Sequence, residues 1–258
     1  MSELVDLRDK ISRYFKFSAE ETKALMISIL VVAFIVSFDK WGTGTEFQLM
    51  TGVKNFFISI LLVALIVLIN QVGHRIVGLI FGYKVEYKMW WYGLLIGLLL
   101  IVMSASMKRG FPAFPYIWFL APGGIFIHML PQHRLGKFRY GPNTNLFSHT
   151  SLAGPIAGIL FGTILKSIDL WFHLNSAAIQ QIFLIGLIYG AYQLLPIPPL
   201  AGSRIFFASR LIYVFVATSI IAYAILFAWL NVYSFIFALL IGAVCWLIFY
   251  VTFERKTF

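Results

Sequence analysis

The chain has 258 residues, of which 60% are hydrophobic and 12% are charged, with a formal net charge of +10. Soluble domains contain roughly 45–50% apolar and about 25% charged residues, so this composition excludes a soluble globular protein. Lysines and arginines occur in short clusters between apolar runs, which is the pattern of a membrane protein and excludes nucleic acid as the partner. The single cysteine, Cys245, excludes an intrachain disulfide.

Residues 1–22 form a charged segment before the first long apolar run. Four apolar residues repeat there at helical spacing: Leu4, Leu7, Ile11 and Phe15. This spacing, with basic residues between, predicts either an amphipathic helix at the membrane surface or a short solvated helix. Ser18 and Glu21 have the spacing of a capping box, which predicts that the first spanning helix begins there.

Residues 23–258 are predicted to form one membrane domain, because a spanning helix needs about 20 mostly apolar residues and uncharged runs of that length recur. The predicted spans are Ala24–Phe38, Asn55–Gly73, Met89–Met107, Pro112–Leu130, Leu152–Phe172, Ala177–Pro196 and two spans within Leu211–Phe253 that divide at Asn231. We therefore expect an all-α polytopic membrane protein with about six to eight transmembrane helices.

The segment Pro112–Leu130 is the least regular of these spans. Pro115, Pro122 and the pair Gly123-Gly124 interrupt it, which predicts a broken or re-entrant helix covered by protein or water. Lys166 and Asp169 lie three residues apart within another span, which predicts an ion pair on one helix face. A functional role for that pair is the alternative, because ionisable residues in spans are often functional.

Basic clusters occupy alternate connections between the spans and predict that both termini are cytoplasmic. These clusters contain Arg8, Lys10, Arg13 and Lys16, then Lys84 and Lys88, then Arg134, Lys137 and Arg139, then Arg204 and Arg210, and finally Arg255 and Lys256. Lys108 and Arg109 are an exception to this distribution.

Three segments place polar residues, glycine or proline inside apolar sequence: Asn70–His74, Ala153–Gly158 and Gln193–Gly202. In this order they resemble the site-2 protease family of intramembrane zinc metalloproteases, peptidase M50. That family has His-Glu-x-x-His, then Ala-Gly-Pro-x-x-Asn, then Asn-x-x-Pro-x-Pro-Pro-Leu-Asp-Gly. Residues 121–124 and 86–90 resemble its archaeal branch, and the resemblance extends from about Phe17 onward.

The resemblance implies a site-2 protease-like core and a defined set of zinc ligands. Two histidines one helical turn apart and an aspartate would hold zinc, and a glutamate would act as general base on the bound water. At these positions the chain has Asn70, Gln71, His74 and Ala201, so only one of the four chemical groups is present. Gln71 has no titratable proton and the Ala201 methyl group cannot bind metal. The accessory asparagines are replaced by Gly158 and Gln193.

These departures predict a pseudoprotease with no catalytic residues and no bound zinc. His74 is interpreted as a buried remnant that is hydrogen-bonded to Asn70, and a rebuilt metal site is the less favoured alternative. Glu86 is assigned to a loop. The proline-rich stretch Leu195–Leu200 predicts an extended break in the helix, with its carbonyls facing a cavity.

A retained cleft is predicted to bind another membrane protein or transmembrane segment, with membrane lipids around it. Its expected residues are Gly154, Pro155, Gly158, Gln193, Pro196, Pro198, Pro199 and Gly202. An active zinc metalloprotease with an atypical site is the first alternative. A transporter or channel is the second, although such proteins usually carry ionisable groups along a midplane path. A structural subunit of a membrane assembly cannot be separated from the first interpretation by sequence.

Overall fold

The computed structural model describes residues 2–43, 46–111, 113–130 and 143–254. The helices in these residues are α1 (Ser2–Tyr14), α2 (Ala19–Ser37), α3 (Leu49–Ile80), α4 (Trp91–Gly110), α5 (Thr144–Trp171), α6 (Ala177–Gln193), α7 (Ala201–Ala208), α8 (Arg210–Leu230) and α9 (Ser234–Phe249). The strands are β1 (Gly42–Thr43), β2 (Glu46–Phe47), β3 (Tyr83–Met89) and β4 (Gly123–Met129). The basic loop around Arg134, Lys137 and Arg139 and the terminal Arg255 and Lys256 lie outside the described residues.

Within the described residues, five segments are long and apolar enough to cross a membrane. They are Ala19–Lys40, Leu49–Ile80, Trp91–Lys108, Thr144–Trp171 and Arg210–Glu254. The last is divided at Asn231, whose φ of 53° ends α8, and α9 then packs back against α8. Helix α6 has 17 residues and packs between α3, α5 and α8. The expected all-α polytopic membrane protein is therefore confirmed.

The first spanning helix begins at the predicted capping box. The Ser18 hydroxyl accepts a hydrogen bond from the Glu21 backbone N–H, and the Glu21 carboxylate accepts one from the Ser18 N–H, both at 3.1 Å. Two orphan backbone donors at the helix start are thereby satisfied. Helix α1 precedes it as a separate helix that packs against α3.

The predicted helix over Pro112–Leu130 is wrong: β4 pairs antiparallel with β3, with Tyr83 opposite Met129 and Met89 opposite Gly123. Glu86, assigned to a loop, lies on β3. Most of residues 113–122 have no regular secondary structure, since the prolines prevent a continuous helix. Part of this irregular backbone is covered by protein, because the carbonyls of Phe119 and Ala121 lie against glycines of α4. Such coverage allows non-helical backbone at membrane depth.

The two faces of the β3–β4 hairpin differ in polarity. Tyr83, Val85, Tyr87 and Ile125 point inward and are each less than 5% exposed. The alternate positions form what we call the outer face of the hairpin: Lys84, Glu86, Lys88, Phe126 and His128. Burial raises the pKa of Tyr87 well above its ordinary value. Its hydroxyl therefore keeps its proton and donates to Ser28 Oγ of α2 at 2.7 Å.

The loop between α5 and α6 is fastened by the predicted ion pair. Lys166 Nζ lies 2.6 Å from Asp169 Oδ2, and Asp169 is 2% exposed. Asp169 Oδ1 also accepts a hydrogen bond from the Ser176 backbone N–H at 2.9 Å. The carboxylate thus closes the turn into α6, which is a structural role.

Candidate functional site

The first motif lies on the buried face of α3, near its C-terminal end. Asn70, Gln71 and His74 are 0%, 1% and 1% exposed. Because they are buried, the motif side chains lie inside the helix bundle, where α5 packs against α3. The 32-residue helix is about 48 Å long, at 1.5 Å per residue, so it extends beyond the hydrocarbon core of a bilayer.

His74 is hydrogen-bonded to α5 rather than to Asn70, so the expected Asn70 partnership is wrong. Its Nδ1 donates to the Thr150 carbonyl oxygen at 2.8 Å. Since a carbonyl can only accept, this bond fixes the hydrogen on Nδ1 and leaves Nε2 without one in the neutral imidazole. The ring packs so closely on Gly154 that a Cβ there would overlap it. Metal-binding histidines are oriented by the same kind of backbone contact.

The two amides beside His74 are incompletely hydrogen-bonded. Gln71 Nε2 donates to Asn70 Oδ1 at 3.5 Å, which is at the outer limit for a hydrogen bond. Asn70 Nδ2 and Gln71 Oε1 are buried and have no partner within the described residues. Burying an amide group without a partner costs about 1–3 kcal/mol. Neither amide can act as a general base, because a side-chain amide does not take up a proton near neutral pH.

The second motif forms the α5 surface that faces α3. Gly154, Pro155 and Gly158 lie in the middle of α5 and are buried. A Cβ on Gly158 would meet only the Ile66 methyl group, at 4.0 Å. The pattern that the sequence resembles has asparagine at this position, and here the glycine leaves open space.

The third motif runs from the last residue of α6, through the turn that follows, to the first residues of α7. Gln193 Nε2 donates to the Gly123 carbonyl oxygen at 3.0 Å and so ties the end of α6 to β4. Pro199 contacts Gly124 of β4 so closely that a side chain at position 124 would overlap the Pro199 carbonyl. Pro196 and Pro198 are exposed. Gly202 lies against the Leu194 carbonyl.

The stretch 194–200 is a series of turns rather than the expected extended break. The Leu195 N–H donates to the Tyr192 carbonyl at 3.2 Å, and the Leu200 N–H donates to that of Ile197 at 2.9 Å. Turns form because each proline fixes its own φ and restricts the residue before it. Leu194 and Leu195 line an apolar cavity of about 50 Å³ between α6 and α8.

Ala201, the position that the sequence resemblance matches to a ligand aspartate, begins α7 and is 1% exposed. Helix α7 packs against α5. Because α5 also packs against α3, it connects the helices that carry the first and third motifs.

The residues present do not fit a catalytic zinc ion. Such a site needs about three protein ligands and an open position, whereas these positions supply one imidazole and two amides. Within the described part of the chain, no three His, Cys, Asp or Glu side chains are grouped as metal ligands would be. The described geometry supplies neither a full ligand set nor a base beside His74.

A buried ion pair next to His74 is missing from the sequence-based predictions. Arg75 Nη2 lies 2.6 Å from Glu21 Oε1, and their side chains are 2% and 5% exposed. Arg75 also donates to the carbonyls of Phe15 and Lys16, at 2.9 and 3.3 Å, and its guanidinium lies 3.8 Å from the Phe17 ring centroid. An arginine inside an apolar helix needs such a partner, and that rule could have identified it.

Glu21 joins this pair to the hairpin. Its Oε1 also accepts the Tyr87 backbone N–H at 2.6 Å, while its Oε2 caps α2. The carboxylate thus connects the start of α2, the end of α3 and β3 beside the first motif.

Comparison with known proteins identifies one informative relative. The chain is 28% identical over 216 residues to a protein named "putative zinc metalloprotease" from Methanocaldococcus jannaschii, an alignment that covers 81% of this chain and 95% of the relative. No protein-family model matches the chain, and no solved structure matches it. The likeness to the archaeal protein supports a relationship between this multi-pass membrane protein and the metalloproteases.

Proposed function

We propose that this chain is a catalytically inactive relative of the site-2 proteases that binds another membrane protein. The observation that carries the proposal is the side-chain content of the first motif. His74 keeps an orientation suited to metal binding, through Thr150, while Asn70 and Gln71 are buried amides with unpartnered atoms. The glycines and prolines of the second and third motifs support the relationship, while the motif positions lack the groups that would hold zinc and remove a proton from water.

The proposed binding surface is the α6–α7 turn beside β4. Pro196, Ile197 and Pro198 are exposed there, with Ile197 43% exposed. Gln193 and the Gly124–Pro199 contact hold the turn against the hairpin. A rigid apolar turn costs little conformational entropy on binding, which favours recognition of a membrane segment.

We also propose that both termini are cytoplasmic. The Glu21–Arg75 pair puts the start of α2 and the end of α3 at the same end of the bundle, and the hairpin that follows α3 carries Lys84 and Lys88. Basic residues concentrate on the cytoplasmic side of membrane proteins.

A transporter is not favoured, since Arg75 and Lys166, which lie in spanning helices, are both paired with carboxylates. Transport paths usually need ionisable groups that face a cavity.

Metal analysis of purified protein tests the loss of the zinc site. We expect no stoichiometric zinc in the natural chain. The triple variant Asn70→His, Gln71→Glu, Ala201→Asp restores the family groups and is expected to bind zinc. Stoichiometric zinc in the natural chain that is lost in His74→Ala would overturn the proposal and favour an active enzyme with an atypical site.

Site-specific crosslinking tests the binding surface. A photoreactive amino acid at Ile197 is expected to form a discrete adduct with a membrane protein in native membranes. The matched control is Leu99 of α4, which is 60% exposed and lies on a different helix. Equal adducts at both positions, or none at Ile197, would contradict the proposed surface.

A further inference from the structure

Two cations approach the same aromatic ring on the outer face of the hairpin. Lys88 Nζ of β3 lies 4.7 Å from the Phe126 ring centroid, and Arg204 Cζ of α7 lies 6.0 Å from it. Phe126 is 40% exposed. We call Lys88, Phe126 and Arg204 the Phe126 patch. It joins the hairpin to the helix that follows the proline-rich turn.

The charges of the Phe126 patch are not balanced by nearby carboxylates. Glu86, the acid on the outer face, is 2.7 Å from Lys84 and 3.4 Å from His128, and the Lys84 hydrogen bond lowers the pKa of Glu86. Within the described residues, neither Lys88 nor Arg204 has a carboxylate within ion-pair distance. The unpaired positive charge therefore favours an anion supplied from outside the chain.

Arg204 provides the strongest evidence that an anion binds here. Its Nη1 atom is buried and has no hydrogen-bond partner in the described part of the chain. Burial lowers the pKa of Arg204, because the charged guanidinium is partly removed from water. The side chain stays charged, since arginine is protonated under all ordinary conditions. A phosphate bound at the accessible part of the guanidinium would compensate this charge, because guanidinium binds phosphate through paired N–H groups.

The position of the patch indicates where the anion comes from. Strand β3 begins three residues after α3 ends, and α4 begins two residues after β3 ends, so the hairpin adjoins two spanning helices. Large apolar side chains are exposed nearby in the chain, with Phe207 of α7 78% exposed and Met129 of β4 46% exposed. Exposed aromatic groups combined with basic residues are typical of the layer where lipid headgroups lie.

We propose that the Phe126 patch binds the phosphate of an anionic phospholipid. Arg204 would donate to the phosphate oxygens, Lys88 would add a second positive charge, and Phe126 would contact the glycerol or the start of an acyl chain. This proposal does not depend on whether the chain is active, because none of these three residues occupies a position of the zinc motif.

Native mass spectrometry of the full chain in neutral detergent tests the proposal, with phosphatidylglycerol as the probe and phosphatidylcholine as the comparison. One basic residue contributes about 1 kcal/mol to the attraction of an anionic membrane surface, which corresponds to about fivefold in affinity. We expect Lys88→Gln and Arg204→Gln each to weaken phosphatidylglycerol binding about fivefold, and Arg204→Lys to weaken it less.

The matched control is Lys54→Gln, which removes an exposed charge near the opposite end of α3. It is expected to bind phosphatidylglycerol like the natural chain. Since Arg204 is partly buried, gel filtration checks its variants, and Lys88→Gln carries the test if they misfold. Three results would overturn the proposal: equal loss in Lys54→Gln, equal binding of phosphatidylcholine, or unchanged binding in Lys88→Gln. Displacement of the lipid by millimolar inorganic phosphate would overturn its assignment to a lipid headgroup.

Discussion

Removing the carboxylate of Glu21 is expected to destabilise the protein more than any other single substitution considered for this chain. In Glu21→Ala, the 2%-exposed Arg75 guanidinium loses its counter-ion at 2.6 Å. Leaving one partner of a buried ion pair uncompensated costs about 3–5 kcal/mol. The Tyr87 N–H and the Ser18 N–H lose their acceptors in the same variant, and the capping loss alone costs about 1 kcal/mol.

The reverse substitution, Arg75→Met, is expected to cost less. Each charge keeps neutral backbone partners when the other is removed: Arg75 keeps two carbonyls and Glu21 keeps two N–H groups. Glu21→Ala costs more because it also leaves the Tyr87 and Ser18 N–H groups without their acceptor. The double variant is expected to cost less than the sum of the two single costs, because neither charge then remains buried.

Unfolding in mixed micelles with increasing dodecyl sulfate, followed by circular dichroism, measures these differences. The control is Arg13→Met, which breaks the exposed Arg13–Asp9 pair, with side chains 62% and 45% exposed. Exposed pairs contribute about 0.2–1 kcal/mol, so little change is expected. The reasoning would be refuted if Glu21→Ala were no more destabilising than this control, or if the Glu21 and Arg75 costs were additive.

The remaining predictions concern packing and use the same unfolding measurement. In Gly154→Ala the added methyl group would overlap the His74 ring, so this variant is expected to destabilise the protein by about 1–3 kcal/mol. The matched variant Gly158→Ala places its methyl group in open space. It is expected to stabilise the protein by up to about 1 kcal/mol, because alanine has a higher helix propensity than glycine. Equal effects would contradict the described contacts. Tyr87→Phe removes a buried hydrogen bond to Ser28 and is expected to cost about 1 kcal/mol, whereas an unchanged stability would show that this bond contributes nothing.

Features that depend on local sequence were predicted well. The capping box at Ser18 and Glu21 and the division at Asn231 are confirmed, because each depends on residues that are neighbours in the chain. The Lys166–Asp169 pair is confirmed for the same reason, since three residues on a helix place two side chains on one face.

Features that depend on distant contacts were predicted poorly. The hydropathy of residues 112–130 indicated a helix, but hydropathy cannot distinguish an apolar helix from an apolar strand that pairs with β3. The partner of His74 is a carbonyl 76 residues away, and no spacing rule identifies such a contact. For the candidate site, the sequence identified the motif positions, whereas their hydrogen bonds depend on how α3 and α5 pack.

The ion-pair network beside His74 also constrains how the chain is made. Phe15, Lys16, Glu21, Arg75 and Tyr87 all precede residue 90. Every group in the network is therefore synthesised before α4, and its charges can be neutralised while the later helices are still within the ribosome or the translocon. Arg75 of α3 can thus enter the membrane already paired with Glu21, before the α5–α7 part of the site is synthesised.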